Sequence, residues 1–250
     1  MTVELFVADI DGCLSKPYAP LDLERLSELA ELIVEAQAGH PTLPRFTLCS
    51  GRPFPYVEAM GQVLGIQQPM LFEAGAGCFD PVANRITWHP RLTEAMITQS
   101  RTVMAWAEQE LVQRHPLALD HAKRTQVSIV ARSEALIPHI LDEVRAFVSR
   151  EAPDLAIYRT SHSIDIHSPN LTKAEGLRWL SAHVGVNLDR MAYIGDSEGD
   201  KGALLAVGHG FAPANASVDL QHQAIRWTRG QFAAGALEAY RLCASANAAA

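Results

Sequence analysis

The chain has 250 residues, 48% hydrophobic, 20% charged and 7% aromatic, too apolar for a disordered polymer and long enough to bury one large or two small cores without staples. Acidic residues outnumber basic ones by 28 to 21 and the longest basic cluster is the pair Lys123 and Arg124, which argues against a nucleic-acid partner. Apolar stretches such as Gly202 to Val207 fall well short of the roughly 20 residues that span a bilayer, so no membrane role is expected.

The N-terminal residues Met1 to Val7 carry no basic region or small-residue cleavage site, and a cytoplasmic address is expected. The cysteines at 13, 49, 78 and 243 lack CxxC spacing, which points to reduced, buried thiols rather than a zinc or redox motif.

In chain order, residues 3 to 8 are mostly apolar and end abruptly in Asp9-Ile10-Asp11-Gly12, a buried parallel strand leading into a polar loop. Apolar positions 23, 26, 29, 30, 33 and 34 predict a helix over 21–38, with Gly39 behind it. A second strand over 46–49 ends in Ser50-Gly51-Arg52, Pro53 suits a first helical position, and the helix runs to Leu64. A third strand covers 69–73. This alternation predicts a doubly wound parallel sheet covered on both faces, an α/β fold.

The rhythm then changes. Strand 85–89, helix 92–114, strand 126–131, helix 134–150 and strands 156–160 and 163–167 describe an inserted α/β unit, its strands apolar on alternate residues as in an antiparallel sheet with helices on one side. The βα pattern resumes with a helix from Lys173, a strand over 191–194, a helix around Ala203, strands near Gly210 and Ile225, and a helix to Ala244, after which the Ala-rich tail is expected to fray. The division is therefore a core of 1–81 and 169–250 with an insertion over 82–168.

Four clusters carry chemistry. Asp9 and Asp11 lie two apart at a strand end, so extended backbone sends both carboxylates to one side, one to attack and one to transfer a proton. Ser50 lies at the second strand end, where its hydroxyl and nearby amides can hold an anion or cap a helix. Thr172-Lys173-Ala174-Glu175 has capping-box spacing and puts Lys173 in the first helical turn, where the dipole disfavours a cation unless an anion is bound. The strand 192–194 breaks into Gly195-Asp196-Ser197-Glu198-Gly199-Asp200, and carboxylates at strand ends suit a hard cation such as Mg²⁺.

Together, in this order, these segments resemble the four motifs of the haloacid dehalogenase superfamily, and the place of the insertion resembles its C2B-capped, Cof-type branch. The resemblance implies an aspartyl-phosphate nucleophile at Asp9 and an acid/base at Asp11. It implies substrate phosphate held by Ser50, Gly51, Arg52 and Lys173, and Mg²⁺ held by Asp9, the Asp11 carbonyl and Asp196 with Asp200 in support. The expected activity is hydrolysis of a small phosphorylated metabolite, a sugar phosphate or a phosphoglycolate-like monoester; a phosphomutase and a non-catalytic metabolite-binding module are the alternatives. Two positions depart from the branch: Gly199 stands for its usual Asn, and Ala74 for the Asn of its Glu-Asn-Gly hairpin. The inserted cap is expected to shape specificity, with His89, His121, Lys123, Arg124, Arg159 and His162 as polar candidates.

Overall fold

Strand β1 (Leu5–Ala8) is buried at every position, as a central parallel strand must be. In the computed structural model, which describes residues 2–159 and 162–249, β1 pairs in parallel with β2 (Arg45–Leu48) on one side and β10 (Met191–Ile194) on the other. Strands β11 (His209–Ala212) and β12 (Ile225–Trp227) complete the order β12-β11-β10-β1-β2. A parallel bridge from Cys49 to Leu71 brings β3 (Met70–Phe72) alongside β2.

Alternate residues of β1 face opposite layers. Phe6 and Ala8 pack with Leu26, Leu29 and Ile33 of α1 (Leu23–Gln37), Val57 of α2 (Phe54–Leu64) and Tyr240 of α8 (Phe232–Ala248). Phe6 stacks on Phe46 at 5.5 Å, and Tyr240 meets both rings edge-on while its hydroxyl donates to the Pro44 carbonyl at 2.6 Å. On the other face Leu5, Val7 and Tyr193 pack with Leu177 and Leu180 of α6 (Lys173–Val184) and with Leu204 of α7 (Lys201–Ala206).

Strand β3 also begins an antiparallel meander with β4 (Gly77–Asp80) and β5 (Arg85–Trp88). The sequence assigns 85–89 to the insertion, but the meander belongs to the compact unit that holds the parallel sheet, and that unit runs to His89 and resumes at Thr172. The sequence pattern does not predict β4, which starts on glycine and follows a run of Gly and Ala that reads as a turn.

The second unit, Pro90–Leu171, begins with α3 (Glu94–Trp106), which widens into a π turn (Ala107–Leu111) and one closing turn, α4 (Val112–Arg114), where a single helix over 92–114 was predicted. It continues with β6 (Leu117–Leu119), β7 (Val127–Ala131), α5 (Leu136–Glu151), β8 (Ala156–Arg159) and β9 (Ser163–His167) in an antiparallel sheet of order β6-β7-β9-β8. Val127, Ile129, Ile164 and Ile166 pack with Val103 of α3 and Ile140 and Val144 of α5. Residue 160 of the predicted strand 156–160 lies outside the described residues. β6, three residues long, was not predicted.

The C-terminal expectation is overturned. Helix α8 continues to Ala248, and Asn247 accepts from the Val3 amide at 2.7 Å and donates to the carbonyls of Val3 and Thr42 at 2.8 Å each. Those contacts fasten the tail to the start of the chain. All four cysteines are buried thiols.

Candidate active site

The parallel ladder ends in register. Ala8 lies opposite Ile194 and Leu48, the Asp9 amide still donates to the Ile194 carbonyl at 3.1 Å, and the Cys49 amide to Ala8 at 2.9 Å. The residues that follow each strand therefore leave the sheet at one edge, bringing Asp9, Ser50 and Asp196 out side by side. Lys173 arrives there from the first turn of α6, whose N-cap Thr172 accepts from the Glu175 amide.

Lys173 is buried, and its Nζ lies 2.6 Å from both Asp9 Oδ2 and Asp200 Oδ1. A bound anion is expected beside a lysine in a first helical turn; in the fold two carboxylates of the chain itself compensate it. Burial works against the ammonium, but Asp200 and Asp9 beside it hold its pKa well above the ordinary value. Asp200 is fully buried and saturated with donors: Oδ1 accepts from Lys173 and from Tyr193 at 2.5 Å, and Oδ2 from the amides of Asp196 and Ser197 and the Ser197 hydroxyl. Lys173 and these donors outweigh the burial penalty and keep Asp200 below its ordinary pKa. It is a brace for Lys173 and for the backbone at 196–197.

Asp9 Oδ1 accepts from the Ile10 amide at 2.7 Å. Burial, opposed by Lys173 and reinforced by Asp200, raises its pKa to about 7. Asp196 is pushed further, to about 8, by burial and then by Asp200 and Asp9; among the described residues no hydrogen-bond donor reaches its carboxylate. Asp11 is gripped by Arg52 through Nε at 2.5 Å and Nη2 at 2.8 Å, and the guanidinium lies over the Tyr56 ring at 4.7 Å and the Tyr18 ring at 5.3 Å. Four carboxylates thus meet one ammonium and one guanidinium. Oxygens of Asp9, Asp196 and Asp200 lie within 4.8 Å of one another, and the donor-free Asp196 with its raised pKa is the group a divalent cation would satisfy, so the residues present fit Mg²⁺.

Ser50 is buried and does not cap α2, whose N-cap is Pro53; its hydroxyl accepts from the Arg52 amide at 3.3 Å. Gly51 has open space where a Cβ would stand. The loop over 50–52 is held from behind by the hairpin Glu73–Gly75: Ala74 donates to the Ser50 carbonyl at 2.8 Å and Glu73 to Arg52 at 2.9 Å. Glu73, Ala74 and Gly75 are all left-handed, at φ 47°, 56° and 91°, a strain of roughly 1–2 kcal/mol for each residue that bears a Cβ. The hairpin tip also touches α6, since a Cβ on Gly176 would lie 2.7 Å from the Gly75 Cα.

In the sequence the hairpin stands only as a feature of the resembled branch, and no role falls to Tyr193 or Ser197. Of these two, Ser197 has a local signal, its three-residue spacing to Asp200, which forms a reciprocal capping box. Of the polar specificity candidates, His89 lies in the unit of the parallel sheet against Trp179. Lys123 is in the other unit, 2.6 Å from Ser128 Oγ and 3.6 Å from Asp165, and His162 lies there 3.7 Å from Glu134; His121, Arg124 and Arg159 are exposed.

Among known proteins, residues 123–235 match the family model of the haloacid dehalogenase-like hydrolases. The chain is 29% identical over 243 residues to a phosphoglycolate phosphatase of Methanococcoides burtonii, covering 96% of each chain. Its fold superposes on a crystal structure from Thermoplasma acidophilum with a TM-score of 0.74 at 17% identity, covering 97% of this chain and 99% of that one. It also superposes on the sucrose-phosphatase of Synechocystis, solved with sucrose and phosphate, with a TM-score of 0.69 at 15% identity and coverage of 97% and 98%. No helix among the described residues is long and apolar enough to cross a membrane.

Proposed function

We propose that this enzyme is a cytoplasmic, Mg²⁺-dependent phosphatase that hydrolyses a small phosphomonoester of the phosphoglycolate class through an aspartyl-phosphate on Asp9. The observation that carries the reading is the buried Lys173 between Asp9 and Asp200 at the sheet edge. An ammonium so placed can hold a phosphoryl oxygen while keeping the nucleophile oriented. Similarity over nearly the full chain to a phosphoglycolate phosphatase supports the substrate class.

In this reading an Asp9 oxygen attacks phosphorus in line, the P–O ester bond breaks, and Asp11 protonates the leaving alcohol. Water, deprotonated by Asp11, then attacks the acyl phosphate, releasing inorganic phosphate and restoring Asp9. Arg52 pairs with Asp11 before substrate arrives, and incoming phosphoryl oxygens compete for its guanidinium, freeing Asp11 to carry a proton. Mg²⁺ held by Asp9, Asp196 and the Asp11 carbonyl would supply charge neutralisation at the phosphoryl group. Ser50 and the amides of the 50–52 loop hold the remaining oxygens.

Hydrolysis of a chromogenic aryl phosphate with and without Mg²⁺, followed by a panel containing phosphoglycolate and sugar phosphates, tests the activity. Turnover that survives excess chelator, or no hydrolysis of any monoester, overturns it. A substrate made chiral at phosphorus tests the covalent step: two in-line displacements retain configuration, and inversion in the released phosphate rules out Asp9 as nucleophile.

A further inference from the structure

The hydrogen-bonded ladder between β1 and β10 stops at Asp9, and beyond it the turn 10–15 and the segment 195–200 lack strand pairing to one another. Their spacing decides how far the Asp9–Asp11 backbone stands from Asp196. Two features meet that need. Gly12, at φ 79°, lies so close to Asp196 that a Cβ would fall 2.0 Å from its Oδ2. Behind them runs the loop after β11. Asn215 on this loop donates through Nδ2 to the Gly12 carbonyl at 2.9 Å, and two residues on, the Ser217 amide donates to the Asp196 carbonyl at 2.8 Å.

Asn215 is itself fixed. Its Oδ1 accepts at 2.8 Å from the amide of Phe232, the first residue of α8, which sits in the left-handed region at φ 46°. The Ala214 amide donates to Gly230 at 2.9 Å and the Ala216 amide to Pro213 at 2.9 Å. One short loop, anchored on α8, therefore holds the acidic turn with a side chain and the Asp196 backbone with an amide.

We propose that Asn215 is a positioning residue that sets the gap between the Asp9–Gly12 turn and Asp196, and through that gap selects a small divalent cation over a large one. The inference rests on the reading of this edge as a Mg²⁺ site. Mg²⁺ demands near-octahedral oxygens at about 2.0–2.1 Å, whereas Ca²⁺ accepts a looser shell at about 2.3–2.6 Å. A tethered gap favours the first and a slack one the second.

The test is calorimetric titration of the full chain, without substrate, with MgCl₂ and with CaCl₂, for the wild type, Asn215→Ala and Asn215→Asp. Asn215→Asp keeps an acceptor for the Phe232 amide but loses the donor to Gly12, and its added charge draws both cations alike, so the affinity ratio reports geometry. The expected result is a ten- to hundredfold fall in the preference for Mg²⁺ over Ca²⁺ in both variants, the size seen when supports behind metal ligands are removed. An unchanged ratio in a folded variant, including one with a lowered melting temperature, makes Asn215 merely structural and overturns the proposal alone. A wild type that binds no Mg²⁺ overturns both it and the metal site beneath it.

Discussion

Asp11 and Asp196 carry the sharpest predictions at the scale of single residues. Asp11→Asn removes the proposed proton carrier but not the fold, so kcat is expected to fall by about 10² to 10⁴ with the melting temperature nearly unchanged; rate measurements at saturating Mg²⁺ check it. The raised pKa values of Asp9, about 7, and Asp196, about 8, set a pH dependence for the metal-free protein. From the ordinary carboxylate range up to those values the folded chain holds protons that the unfolded chain has released. Folding stability therefore falls as the pH rises from about 5 to 8. Thermal melts in EDTA should show that decline, Asp196→Asn should flatten it, and Mg²⁺ should raise the melting temperature more at pH 8 than at pH 6.

The hairpin Glu73–Gly75 and helix α6 show how elements transmit strain to side chains. Ala74→Gly removes a left-handed Cβ and is expected to stabilise by about 1 kcal/mol, raising the melting temperature by roughly 2–4 °C. Gly176→Ala would ordinarily favour a helix by about 1 kcal/mol. Here its new methyl meets the Gly75 backbone, so it should destabilise by about 1–3 kcal/mol through overpacking and lower kcat by shifting the turn that carries Lys173. Denaturant melts and steady-state kinetics separate the two effects, and a Gly176→Ala enzyme that is both more stable and fully active would show that the contact is slack. Local pattern predicted α6, since Thr172 and Glu175 mark its start, but the neighbour that forbids a side chain at Gly176 lies about 100 residues earlier in the chain.

At the scale of the whole molecule, the tail shows the same limit. Its Ala-rich composition predicts fraying because nothing local opposes it, whereas Asn247 makes three hydrogen bonds to the beginning of the chain and to Thr42. At about 0.5–1.5 kcal/mol each, their loss in Asn247→Ala should lower stability by about 1.5–4.5 kcal/mol in urea unfolding. The elements of the parallel sheet were legible because a strand buried on both faces and an amphipathic helix write their periodicity into adjacent residues. The acids Asp9, Asp11, Asp196 and Asp200, with Ser50 and Lys173, were legible because each stands where an apolar strand ends or a helix begins. Tertiary structure alone decided what compensates those charges. That Lys173 lies between Asp9 and Asp200, that Arg52 grips Asp11 and that Asn215 spans to Gly12 are contacts between distant segments, as is the packing that leaves Asp196 without a donor among the described residues. Periodicity and capping act over a few residues, whereas the partner of a buried charge is fixed by the register of strands that meet only after folding.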